Sequence, residues 1–168
     1  MKKIFLFFSL GLSLLLTACT VIEAEPLSPQ IAVQHIKIVE NPENNVADFV
    51  PVCQHLFQKY GIQSLLVPET YTPGPDDTIF RYTTQRGWDL KMFMSFAHVT
   101  LLQGNRMIAS GTYQAKGGMF SLAATKLNST AWKMERVFQK MFPYGIRQND
   151  TRAKDLHLPE QLQKELTE

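Results

Sequence analysis

Residues 87–103, GWDLKMFMSFAHVTLLQ, carry the strongest strand signal in the chain. In an extended segment Trp88, Leu90, Met92, Met94 and Phe96 share one face, and Phe93, Ala97, Val99 and Leu101 share the other. Apolar residues on both faces mark a central strand, because both sides must then be covered. Gly104-Asn105 follows as a two-residue hairpin turn. Arg106 to Ala115 returns beside it, with Met107, Ala109, Gly111 and Tyr113 in one register and Ile108 in the other.

Upstream, Ile31 to Glu40 reads as a first strand. Ile31 and Val33 share one phase, while Ile36 and Ile38 share the other, so a bulge near Gln34-His35 or burial on both faces is expected. Val46, Phe49, Val50, Cys53, Leu56, Phe57 and Tyr60 then recur at steps of three and four, the period of an amphipathic helix. With Asp48 as N-cap, Pro51 is third in that helix, where its missing N–H has no intrahelical partner to lose. Gly61 fits the left-handed closing position, which places the helix near 49–60. Ile62 to Val67 is a short second strand, and Thr78 to Thr84 resumes β-type residues. Between them, Pro68 to Asp77 is rich in proline, glycine and aspartate and reads as a loop.

Downstream, Gly117-Gly118 breaks the pattern, and Asn128-Ser129-Thr130 offers caps for a second helix. Its stripe is Met134, Val137, Phe138, Met141 and Phe142, with Trp132 near the start and Pro143 and Gly145 at the stop. The expected order is β-α-β-β-β-β-α. This is an α+β fold in two layers: an antiparallel or mixed sheet of about four to five strands, with two main helices on one face.

The N-terminus has another character. Lys2 and Lys3 precede an uncharged apolar segment, Ile4 to Leu16, and the small residues Thr17-Ala18. That is the layout of a secretory signal, and it is shorter than the roughly 20 apolar residues a membrane span needs. Leu16-Thr17-Ala18-Cys19 resembles the bacterial lipobox. The resemblance implies a diacylglycerol on the Cys19 thiol, cleavage before it and acylation of the new amine. By the same resemblance, Thr20 in place of an aspartate directs sorting to the outer membrane. The expected organisation is a cleaved signal over 1–18, a lipidated tether over 19–30, a globular domain over 31–145 and a polar tail over 146–168. Within that tail Pro159 can open a short helix carrying Leu162 and Leu166.

Cleavage takes two of the 17 basic residues and no acidic one, which leaves as many positive as the 15 negative side chains. The counterion-release term behind nucleic-acid binding then has no net source, and a nucleic-acid partner is excluded. Lipid on Cys19 isolates Cys53, whose helical position suits a small buried core residue.

The residues around Trp88-Asp89, then Gly117-Gly118 and Lys126-Leu-Asn-Ser-Thr-Ala-Trp-Lys133, resemble a family of short Gram-negative lipoproteins, the Sbal-type lipoproteins, over about Ile31 to Phe142. That resemblance brings no catalytic signature. The element order also resembles small periplasmic partner-binding domains, such as the amino-terminal domain of the Tol system's propeller protein, which speaks to fold alone.

Chemistry-bearing residues do not assemble in the sequence. His35, His55, His98 and His157 form no ligand pair. Cys53 and His55 stand about 200° apart on a helix, so the imidazole is badly placed to activate the thiol. Asp76-Asp77 falls short of a calcium site. Thr130-Ala131-Trp132-Lys133 only loosely echoes Ser-x-x-Lys. No catalytic, cofactor or metal site is expected. The expected role is a lipid-anchored, periplasm-facing envelope lipoprotein that docks another envelope protein through the 68–77 loop or the 145–168 tail. The alternative is a carrier or hydrolase for a small or lipidic ligand, with Met92, Met94, Phe96, Met107, Met119 and Met141 lining an apolar cavity. A third reading is a self-assembling envelope component.

Overall fold

The computed structural model describes residues 20–89, 91–116 and 128–145. In chain order these form β1 (Val21–Glu25), β2 (His35–Val39), α1 (Phe49–Lys59), β3 (Gln63–Val67), β4 (Thr78–Asp89), β5 (Lys91–Gln103), β6 (Arg106–Gln114) and α2 (Thr130–Met141). The expected signal over 1–18, Cys19, Gly117-Gly118, Met119 and the expected tail over 146–168 lie outside the described residues.

The fold is α+β, with a mixed six-stranded sheet in the order β1-β6-β5-β4-β2-β3. The strand count exceeds the expected four to five because of β1. Val21–Glu25 lies within the stretch read as a tether, yet it pairs antiparallel with β6 from Val21↔Gln114 to Glu25↔Ser110. Its sequence, VIEAE, alternates too weakly to announce itself. The β6 edge satisfies its backbone, and Ile22 and Ala24 rest against the core. Leu27 is also buried, and its N–H donates to the Met141 carbonyl at 2.8 Å.

The first expected strand shortens to His35–Val39. Ile31 and Val33 precede it, so the phase slip marks a strand boundary and not a bulge. The crossover through α1 returns β3 parallel to β2, as a helical connection allows. β4 then pairs with the other side of β2, also parallel.

The strand read over 87–103 joins the end of β4 to the whole of β5. Gly87, Trp88 and Asp89 finish β4, and the chain has reversed by Lys91, with Trp88↔Met92 and Asp89↔Lys91 paired. A second correction lies in the faces. Gln85 pairs with Phe96 but Arg86 pairs with Met94, which leaves Ser95 as an extra residue. Its hydroxyl donates to the Gln85 carbonyl at 3.1 Å. This bulge moves Met94 onto the buried side with Ala97, Val99 and Leu101, and leaves Phe96 half-buried. The Gly104-Asn105 turn follows the sequence reading, with Gln103↔Arg106 closing the ladder and Gly104 at φ +57°.

One core cluster holds the buried stripes of both helices and the sheet residues they cover, among them Ile36, Phe80 and Val99. Phe57 of α1 stands edge-on to Phe80 at 5.1 Å and lies 4.9 Å from Phe138 of α2. Each such ring pair adds about 0.5–1.5 kcal/mol beyond the area it buries. A smaller cluster of Val39, Val67 and Ile79 carries Tyr71 and Leu102 against it. Asp48 makes no side-chain cap to α1; its carboxylate accepts from the Thr130 hydroxyl at 3.0 Å instead. Ser129 caps α2 by accepting from the Trp132 N–H at 3.2 Å, a contact worth about 1 kcal/mol.

Candidate functional site

Thr20, expected to direct sorting, is the first described residue and stands one position before β1. The β1–β6 ladder puts it beside the C-terminal end of β6. Burial pushes the Tyr113 phenol up, and a hydrogen bond with Thr20 offsets this in part. Cross-strand register then carries a line from Val21 to Gln114, Phe96 and Gln85. Among the described strands, β4 and β5 continue beyond that line as a hairpin, with Trp88 (65% accessible) and Met92 (54%) exposed near its tip.

The root of that hairpin is braced by Lys133, a residue whose role the sequence reading missed. Its side chain is buried, and its ammonium donates to the Met94 carbonyl at 2.9 Å. The same ammonium lies 5.2 Å from the Phe93 ring centroid and 5.4 Å from that of Tyr113. A buried cation needs such compensation, and two ring faces and a carbonyl supply part of it. The sequence signal was present in weak form: Lys133 precedes Met134 in the α2 stripe, and helices reach one residue to either side of a stripe centre. Thr130 turns to Asp48 while Lys133 turns to Met94, so the Ser-x-x-Lys echo does not form a working pair.

The 68–77 loop is folded against β2 by a polar cluster. Lys37 Nζ donates to the Tyr71 hydroxyl and, at 2.7 Å, to Asp77 Oδ1. The Tyr71 hydroxyl and the Gly74 N–H both donate to Asp77 Oδ2 at 2.7 Å. These bonds, the one from Lys37 foremost, hold the Asp77 carboxyl down at about 2, and Asp77 raises Lys37 in turn. The cluster binds the loop to the sheet, so this contact region is a built surface. Of the other expected contact region, only Gly145 is described.

Cys53 is fully buried, and burial pushes its thiol well above the ordinary value, so it is not a ready thiolate. His55 is exposed on another side of α1, and His35 is exposed at the start of β2. His98 Nδ1 meets the Thr112 hydroxyl at 2.9 Å. It also lines a shallow recess of about 280 Å³ with Glu40, Glu69, Arg81 and Thr100. Among the described residues no three His, Cys, Asp or Glu side chains gather as metal ligands. Also among them, no helix is long and apolar enough to cross a membrane. The methionines expected to line a cavity divide: Met94 and Met141 are buried in the core, whereas Met92 and Met107 are exposed.

The class defined by this geometry is a single α+β sheet domain with two helices in its core. Among solved structures it is similar to a PelC dodecamer from Paraburkholderia phytofirmans that carries one leucine-to-methionine substitution, with a TM-score of 0.52 and 8% identity over 73% of this chain and 97% of that one. A second PelC dodecamer structure from the same organism matches with a TM-score of 0.48 and 10% identity over 77% and 100%. No family model and no curated protein matches the chain. At such identity the likeness speaks for the fold alone.

Proposed function

We propose that the chain is a lipid-anchored lipoprotein of the outer membrane, facing the periplasm, whose folded part works as a non-enzymatic partner-binding or assembly module of the envelope. The observation that carries this is Leu16-Thr17-Ala18-Cys19 at the end of an apolar segment behind Lys2-Lys3. The Sbal-type resemblance agrees with it. So does the start of β1 two residues after Cys19, which fits a domain seated close to its anchor. The 68–77 loop, folded onto the sheet by Lys37 and Asp77, and the sheet edges offer built surfaces for a partner. A PelC protein of similar fold is crystallised as a dodecamer, and assembly with further copies of this chain is one form that the proposed module takes.

The test is a Cys19→Ser variant. The native chain takes up labelled palmitate and sediments with the membrane fraction; the variant does neither. A variant that stays lipid-labelled and membrane-bound overturns the anchor. Crosslinking of the lipidated protein in intact cells reads the second half of the proposal, and recovery of only the monomer under several crosslinkers overturns it.

A further inference from the structure

We propose that the tip of the β4–β5 hairpin is a second membrane contact, in which Arg86, Trp88 and Met92 enter the interfacial layer of the same bilayer that holds Cys19. This deepens the anchor reading and rests on it.

The argument begins with strand direction. β1 runs from Val21 toward Glu25, and its Val21 end pairs with Gln114 at the end of β6. The register line Val21, Gln114, Phe96, Gln85 crosses four adjacent strands, so β1 and β4 stand three spacings apart there, about 14 Å. The chain before Val21 leaves the sheet off this end, and the hairpin projects from the same end. Past Gln85, β4 extends four residues through Asp89, about 13 Å of strand, with Trp88 about 10 Å along it. Cys19 is two residues before Val21 and so lies within about 7 Å of it. Anchor and hairpin tip therefore reach a common plane without bending the domain.

The side chains suit that plane. Trp88 and Met92 are direct cross-strand partners and share one face; Arg86, two residues before Trp88 and past the bulge, shares it. All three are exposed. An indole settles at the headgroup level, where its ring is apolar and its N–H is wet. An arginine there lays its stem along the apolar layer and keeps its guanidinium on the phosphates. The root is tied down by the Lys133 bond to the Met94 carbonyl and by the Ser95 hydroxyl bond to the Gln85 carbonyl.

The other exposed large apolar residues among those described lack this geometry. Met107 belongs to the opposite end of the sheet, beside the Gly104-Asn105 turn, and Leu65 and Leu66 lie on the far edge strand β3. Tyr144 follows α2, whose last residue Met141 is bonded to Leu27 beyond the Glu25 end of β1. With acyl chains already on Cys19, the hairpin adds little to retention. It fixes which way the domain faces.

The experiment uses the full lipidated chain in vesicles of phosphatidylethanolamine and phosphatidylglycerol, with or without bromine on the acyl chains. In a Trp132→Phe background Trp88 is the sole tryptophan. Its emission shifts to shorter wavelength on reconstitution and loses more than half its intensity to brominated lipid. In the mirror variant, Trp88→Phe, Trp132 reports from the first turn of α2, level with the hairpin root and farther from the tip, and is quenched less. Equal quenching of the two overturns the proposal, as does a water-like, unquenched Trp88 on protein whose Cys19 carries lipid by mass spectrometry. A blue-shifted Trp88 that brominated lipid does not quench means that a protein covers the tip, and overturns the lipid assignment. Absence of lipid on Cys19 removes the anchor reading and this one together.

Discussion

Gly111 is where sheet and helix come closest. A Cβ built there meets Val137 Cγ1 at 2.4 Å and Met141 Sδ at 2.8 Å, both on the buried face of α2. Glycine at this point of β6 lets α2 lie down on the sheet. Gly111→Ala is expected to lower the unfolding free energy by about 1–3 kcal/mol, the usual range for overpacking, as read by urea denaturation. Val137→Ala in the same chain should cost less than it does alone, since the two residues contend for one space. At this scale the sequence was partly legible. Cys53 falls in the core where its stripe position put it, because helical periodicity reports burial directly. Lys133 does not follow that logic. Its burial depends on the Met94 carbonyl and two rings brought in from other strands, and periodicity carries no trace of those partners.

Among the elements, the 68–77 loop is held by the Lys37–Tyr71–Asp77 cluster and by Tyr71 packed against Val39, Val67 and Ile79. The Asp77 carboxyl sits at about 2 in the fold, below its ordinary 3.8, chiefly because Lys37 donates to it. A depressed carboxyl stabilises the fold above its unfolded value and loses that contribution as pH falls through the folded one. Asp77→Asn should therefore be less stable than the native chain near neutrality, and the gap should close as pH drops from about 5 to about 2. Urea midpoints measured across that window check it; a constant gap rules out the ion pair as its source.

The helices were legible because their apolar residues recur at steps of three and four over several turns, and Gly104-Asn105 because the turn needs positive φ. The reversal between Asp89 and Lys91 was not. Trp88 and Met92 face the same way whether the chain runs straight or folds back, since an interval of four residues keeps the alternation and cross-strand partners share a face. Alternation alone cannot distinguish one long strand from two strand ends. The Ser95 bulge hid Met94's burial for a related reason: one extra residue exchanges the faces, and nothing in Met-Ser-Phe marks it.

At the scale of the whole molecule, the sheet ends in two unlike strands. β1 is bonded to β6 and stitched to α2, where Lys140 Nζ donates to the Ile22 carbonyl at 2.7 Å. β3, at the other edge, exposes Leu65 (62% accessible) and Leu66 (43%) on neighbouring positions. An apolar edge strand is a template for pairing with another chain. Leu65→Lys should leave the unfolding free energy within about 0.5 kcal/mol while weakening self-association of a chain that begins at Thr20. Sedimentation velocity over a concentration series checks both the association and its loss; unchanged association excludes this edge.

β1 also bears on mechanics. Under the proposed lipidation of Cys19, any pull that draws the domain off the membrane enters through Thr20 and runs along the axis of β1. The rungs of the β1–β6 ladder lie across that axis, so they are loaded in shear and share the force instead of opening one after another. Had the chain entered across the sheet edge, the same five-residue strand would peel from its end. The direction in which β1 leaves the fold thus makes a short ladder a firm mooring.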